Sequence, residues 1–297
     1  MLRRVLAGCL LALTALIAAA TPTLALWPTA RLVALKLAGR SECSWRHTLR
    51  ALEDVRRAID LRDSIERSAR LVASDGNLQL WEVPEAGRFW MHGRFGRLNA
   101  VVFAEYQKDI YSNGDVRVRP GDIVLDCGAD YGAFTRKALQ AGARTVLAIE
   151  IAPGKEPCLR RTFENEIAGG RVVVIPRGVW DRDDVLELDG DSVVLARGQT
   201  KVKVPVTTID QIVSAAGLAR VDFIKMDIEG AEKRALKGAA GTLRKFRPRL
   251  AIAAEHLPDD YLELPKSVRG ILPGYTVSCG SCRKVGWRVI PDVLFFQ

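Results

Sequence analysis

Cysteine is sparse in this 297-residue chain and follows no framework: the six lie at 9, 43, 127, 158, 279 and 282. Small disulfide-stapled scaffolds carry dense, patterned cysteines, so that class is excluded. Cys127 falls inside a glycine turn and Cys158 on a predicted helix, positions that suit small buried residues. The usage reads as that of a reducing compartment. Cys279 and Cys282 form a C-x-x-C pair in CGSC, but the chain has only three histidines and no second pair, so nothing completes a zinc site. That segment reads as a tight hairpin turn with two incidental thiols, and no metal is expected. Repeats and low-complexity tracts are missing. So is the G-x-G-x-x-G run that a nicotinamide-dependent oxidoreductase should show. No basic stripe interleaved with aromatics appears in the second two thirds of the chain, which argues against a nucleic-acid substrate.

Positive charge is concentrated at the front. Residues 1–99 hold 15 Lys and Arg against 9 Asp and Glu, a surplus of six, whereas residues 100–297 hold 29 against 26, a surplus of three. A front-loaded excess speaks of a membrane surface. Residues 5–30 contain no charged side chain over 26 positions, and about 20 apolar residues cross a bilayer. Arg3 and Arg4 before the run, and the small Thr23 and Ala25 within it, equally fit a signal peptide. Five basic residues, Arg31, Lys36, Arg40, Arg46 and Arg50, follow the run against two before it. Positive flanks stay in the cytoplasm. The expectation is a membrane-anchored protein with its catalytic domain cytoplasmic, the alternative being export after cleavage. Residues 31–74 form an Arg-rich helical segment, with Ala38 to Ser44 as the only candidate linker.

The chemistry lies further on. In VDFIKMDIEGAE, residues 221–232, Lys225, Asp227 and Glu229 alternate along an apolar strand and point to one face. Ionised groups on a buried strand need partners or a solvated site, so these three mark either an ion pair or a cleft. A second run, IVLDCGADYG at 123–132, is a strand ending in Asp126, followed by Gly128, Gly132 and a helix. Glycines there let backbone amides approach a ligand. About 20 residues on, TVLAIE ends a strand in Glu150, the spacing of a carboxylate that grips ribose hydroxyls. Asp126 and Asp130 would repel a pyrophosphate and attract a cofactor bearing an ammonium and a sulfonium. The loop thus favours S-adenosylmethionine over NAD.

From 121 onward strands and helices alternate, with a β-rich excursion at 184–206 and a closing pair near 274–280 and 287–297. Alternation of this kind implies a parallel sheet with right-handed crossovers. The closing pair suits a last strand inserted antiparallel. Asp126, Glu150, Asp227, Glu229, Glu255 and His256 then share one rim at the strand carboxyl ends, where ligands of such sheets bind.

GDIVLDCGADYGAF, AIE, VPVTTID, IKMDIEGAE with LKGA, and RPRLAIAAEH resemble the FkbM-type S-adenosylmethionine-dependent methyltransferases over roughly residues 75–297. The resemblance implies a class I methyltransferase, Rossmann-like α/β fold for a domain at 75–297; the uncharged run is expected to precede it as an N-terminal hydrophobic helix in 1–30. The resemblance also implies methyl transfer to a hydroxyl of a sugar, glycolipid or secondary metabolite. The family usually has Asn where this chain has Asp130, which cannot donate the amide hydrogen bonds of Asn.

On this reading Asp126, Gly128, Asp130, Gly132, Glu150 and Asp181 serve the cofactor. His256, whose ordinary pKa is nearest neutrality, is the expected base. Asp227 and Glu229 orient the acceptor or the base, and Lys225 neutralises one of them. A catalytically silent, membrane-tethered nucleotide-binding module is the other class to separate.

Overall fold

The computed structural model describes residues 28–189 and 201–297, and two helices come first among the described residues. They are α1 (Pro28–Leu37) and α2 (Trp45–Ser68). Ser44 caps α2, its Oγ accepting from the His47 amide at 3.3 Å. The strands β1 (Arg70–Asp75), β2 (Leu78–Val83) and β3 (Gly87–His92) follow as an antiparallel meander. β1 crosses residue 74, so the helical segment runs directly into this meander. The helix α3 (Arg97–Gln107) then leads to the main sheet.

The first half of that sheet is β4 (Ile123–Cys127), α4 (Ala133–Gln140), β5 (Thr145–Ile149), α5 (Lys155–Thr162), α6 (Glu164–Ala168) and β6 (Val172–Ile175). A side sheet of β7 (Gly178–Val179), β8 (Asp184–Asp189) and β9 (Lys201–Thr207) interrupts it. Then come α7 (Ile209–Ala215), β10 (Phe223–Met226), α8 (Glu232–Lys237), α9 (Ala240–Phe246), β11 (Arg249–Ala253), α10 (Asp260–Ile271), β12 (Val277–Cys279), the hairpin β13 (Cys282–Val285) and β14 (Arg288–Pro291), and β15 (Val293–Phe296).

The strand order is β12-β15-β11-β10-β4-β5-β6. All neighbours in the run from β11 to β6 are parallel, and β15 lies antiparallel to both β11 and β12. This is the doubly wound, class I methyltransferase arrangement expected, including the antiparallel last strand. Helices cover both faces, so β10 is buried at all four positions, as parallel central strands are. Phe134 and Phe223 stack on one face at 6.1 Å, while Leu125, Leu147, Ile224 and Leu250 pack on the other.

Two expectations change. Lys225, Asp227 and Glu229 do not share a strand face, because β10 ends at Met226 and Glu229 has a left-handed backbone (φ 55°). The two acids stand in the turn that leaves the sheet. The cysteines, read as unbridged, include one disulfide: Cys43 joins Cys282 across 239 residues. The hairpin β13–β14 packs on α2, and Ser41 bridges Val289, so segment 38–44 is stapled to the C-terminal hairpin. Such a pairing depends on the fold bringing the two Cα atoms within reach, here 6.6 Å, and no local spacing reveals it. Cys127, Cys158 and Cys279 are free.

The hydrophobic run expected to form a helix in 1–30 lies, up to residue 27, outside the described residues. Among the described residues no helix is long and apolar enough to cross a membrane.

Candidate active site

Three parallel strands and the short β7 end on one side of the sheet, and their exits enclose a cavity of about 410 Å³. Gly128 and Asp130 after β4, Glu150 after β5, Gly178 to Trp180 at β7, and Asp227 with Glu229 after β10 all line it. Each is held by what precedes it. Gly128 has φ +80°, and a Cβ there would stand 1.9 Å from the Asp227 carbonyl oxygen. Only glycine lets the two loops meet. Gly132 (φ +90°) has the same restriction against Phe163, 2.3 Å from where a Cβ would be, but it does not face the cavity.

Glu150 is 6% exposed. Its Oε2 accepts from the Asp130 amide at 2.7 Å and its Oε1 from the Ala152 amide at 2.8 Å. Burial raises its pKa, and Lys155 and the two amides act against that rise. Each oxygen keeps a lone pair for a hydroxyl donor. Asp130, the position where Asn is usual in the family resembled, is neutralised by Lys155 at 2.8 Å.

Asp126 and Asp181 stand elsewhere. Asp126 is fully buried beneath the loop, where Thr135 Oγ1 donates to it at 2.7 Å. It is also the strand neighbour of Lys225, whose Nζ lies 3.3 Å away. Lys225 donates to the Gly128 carbonyl at 2.6 Å and is only 3.9 Å from Asp227. Its first partner is therefore Asp126 rather than either acid of the turn. The rings of Tyr106, Tyr111 and Phe134 surround the ammonium within 6.0 Å. Burial works to lower the Lys225 pKa, but Tyr106, Asp126 and Asp227 outweigh it and hold the group charged. Asp181 pairs with Arg234 at 2.7 Å and does not line the cavity, although its neighbours Gly178, Val179 and Trp180 do.

Asp227 is fixed from two sides. Tyr111 Oη donates to its Oδ2 at 2.7 Å, and His256 Nε2 faces its Oδ1 at 3.4 Å. Burial alone would raise its pKa, but Lys225, His256 and the tyrosine hydroxyl hold it below the usual carboxylate value. His256 lies behind the turn, off the cavity wall. Its Nδ1 is 3.0 Å from Glu232 Oε1, and its Nε2 is 3.7 Å from Glu229 Oε2. Burial disfavours the charged ring, yet the bond to Glu232 and the charges of Glu232, Asp227 and Glu229 push its pKa up to about 10. A ring that already holds its proton at neutral pH cannot accept one. His256 instead clamps the acidic turn through Glu232, Asp227 and Glu229. Asp227, Glu229 and His256 offer ligand atoms within 4.8 Å of one another, but a ring protonated on both nitrogens has no lone pair to give a metal.

The His256 pairing has a pH signature. With the folded pKa above the ordinary 6.5, its stabilisation is complete below about 6.5 and is lost as pH rises through about 10. Thermal melts should fall between about pH 7 and 10 in the wild-type chain. The fall should be shallower in His256→Gln, which starts lower at pH 7. Parallel melting curves would remove the imidazolium from the account.

Glu105, Tyr111 and Glu232 were not among the expected site residues. Glu232 lies inside the DIEGAE run, but nothing local shows that a fully buried glutamate will meet a histidine 24 positions on. Glu105 carries no motif. Its only trace is the repeat Leu98, Val102, Glu105, one face of α3.

A family model described as the methyltransferase FkbM domain matches residues 126–280, which is more than half of the chain. The protein belongs to the FkbM methyltransferase family. No curated protein matches it. Among solved structures, the FkbM methyltransferase of Methylobacillus flagellatus is 20% identical, with a TM-score of 0.49 over 82% of this chain and 60% of its own. The present chain thus spans less than two thirds of that protein. The Synechocystis magnesium protoporphyrin IX methyltransferase with bound SAM is 14% identical (TM-score 0.40; 69% of this chain, 86% of that one). Trm5 of Methanocaldococcus jannaschii in complex with adenosine is also 14% identical (TM-score 0.41; 76% and 56%).

The cofactor of this FkbM domain is S-adenosylmethionine, and the cavity suits it. The close approach of loops at Gly128 leaves backbone at the cavity wall, and Glu150 presents lone pairs to it. Asp227 and Glu229 set negative charge on the side where a sulfonium would be stabilised.

Proposed function

We propose that this FkbM methyltransferase methylates a hydroxyl oxygen on a sugar, glycolipid or secondary metabolite. The observation that carries the reading is that the carboxylates Glu105, Asp227 and Glu229 line the cofactor cavity, because carboxylates accept hydrogen bonds from hydroxyl groups and orient them. When bound, the cofactor supplies an electrophilic methyl group. The chain's own work is to hold the acceptor in line, exclude water and take up the hydroxyl proton. Tyr111 and His256 keep Asp227 ionised and fixed, so its free lone pairs are set for one hydroxyl geometry. A silent binding module would have no use for this arrangement.

Cells expressing the chain and fed methyl-deuterated methionine should accumulate a metabolite or glycan bearing a labelled methoxy group. The group should be absent when Asp227→Asn replaces the wild type. A labelled N-methyl or C-methyl product would replace the hydroxyl reading with another acceptor.

The uncharged run before the described residues, with its basic flank, supports a membrane tether that leaves the domain on the cytoplasmic side, where the cofactor is made. The Cys43–Cys282 bridge favours the other reading, export after cleavage, because disulfides persist in oxidising compartments. Alkylation of these two thiols in intact cells, beside protease access to the C-terminus, separates the two.

A further inference from the structure

The helix α3 turns one face to the cavity. Leu98, Asn99, Val102, Glu105 and Tyr106 line it; Leu98 is 83% exposed, and the Glu105 side chain is 28% exposed. Leu98 and Val102 thus lie on the same helix face as a carboxyl group that lines the cavity with Asp227 and feels its charge. The Glu105 carboxylate has little to neutralise it. Arg283 on β13 is the nearest cation, with Nη2 at 3.7 Å, but the same guanidinium is paired with Glu255 and Asp292.

We propose that Glu105 is the general base of the transfer, and that Leu98 and Val102 are the wall on which the apolar part of a hydroxyl-bearing acceptor lies. This rests on the cofactor cavity and the hydroxyl acceptor argued above. The acceptor O–H bond breaks and its proton passes to a Glu105 oxygen. The electron pair stays on the acceptor oxygen and forms the ether bond to the methyl carbon, while the carbon–sulfur bond opens with its pair on sulfur. Asp227 and His256 are less suited. Asp227 is held below the usual carboxylate value by its partners, which makes it a weak base, and His256 already carries its proton. The groups that face Glu105 are Asp227, Arg283, Asp292, Glu255, Tyr111 and, on its own helix end, Lys108. Burial first, then Asp227, push its pKa up to about 7, against Arg283. A base poised near neutrality is the efficient one.

Two cofactor analogues test this without knowledge of the acceptor. Sinefungin carries an amine where the transferable methyl group sits; S-adenosylhomocysteine carries nothing there. Calorimetric affinities of the full chain for both, at pH 6 and pH 8, report the charge beside the transfer point. As Glu105 ionises, the preference for sinefungin should rise about ten-fold in the wild type, a modest yield for one charge pair at short range. In Glu105→Gln the preference should stay low and flat while S-adenosylhomocysteine binds as before. A wild-type preference that does not change with pH, or a Glu105→Gln profile that follows the wild type, overturns the proposal. Failure of both analogues to bind would overturn the cofactor reading beneath it.

Discussion

Lys225→Met lowers folding stability by about 3–5 kcal/mol on this account, the usual cost of leaving a buried charge without its partner. Both Lys225 and Asp126 are fully buried, the ion pair is 3.3 Å long, and the ammonium also holds the Gly128 carbonyl that shapes the cofactor loop. Methionine fills the space among Tyr106, Tyr111 and Phe134, so lost packing contributes little. The loss is electrostatic and should be partly recovered in Lys225→Met combined with Asp126→Asn, where no bare carboxylate remains. Denaturant unfolding of the three variants measures this. A single variant within about 1 kcal/mol of wild type, the size of an exposed ion pair, would show that the pair is not the keystone under the loop.

Glu150→Ala should weaken S-adenosylmethionine binding by about one to two orders of magnitude, the worth of charge-assisted hydrogen bonds of about 1.5–3 kcal/mol. The change also frees the Asp130 and Ala152 amides, so the loop itself loses an anchor. Glu150→Gln keeps one acceptor oxygen and should fall between the two. Calorimetry beside a melting curve separates lost binding from lost fold. Unchanged affinity in a folded Glu150→Ala would move the nucleotide site elsewhere.

Much of this was legible in the chain. Short apolar strands ending in an acid or a glycine gave the parallel sheet, since period and punctuation are local properties. Glu150 announced itself by its distance from the glycine turn. The acids of the DIEGAE run were found for a reason that proved incomplete: the alternation suggested a shared strand face, whereas the strand stops at Met226 and the turn does the placing. Partners that meet only through the fold were out of reach. Asp126 was read as a cofactor contact because no local feature tells that Lys225, 99 positions on, becomes its strand neighbour. The ordinary pKa of His256 points to a base, and only the fold brings the carboxylates around it that hold its proton. The Cys43–Cys282 bridge and the cavity-lining face of α3 belong to the same class.

We place the cofactor in the cavity between Gly128, Glu150 and the acidic turn. A crystal structure of the full chain grown with S-adenosylhomocysteine tests it most directly. The ribose hydroxyls are expected on Glu150, with the sulfur end toward Asp227, Glu229 and Glu105. A nucleoside bound away from Glu150, or turned with its adenine toward the acidic turn, would contradict it.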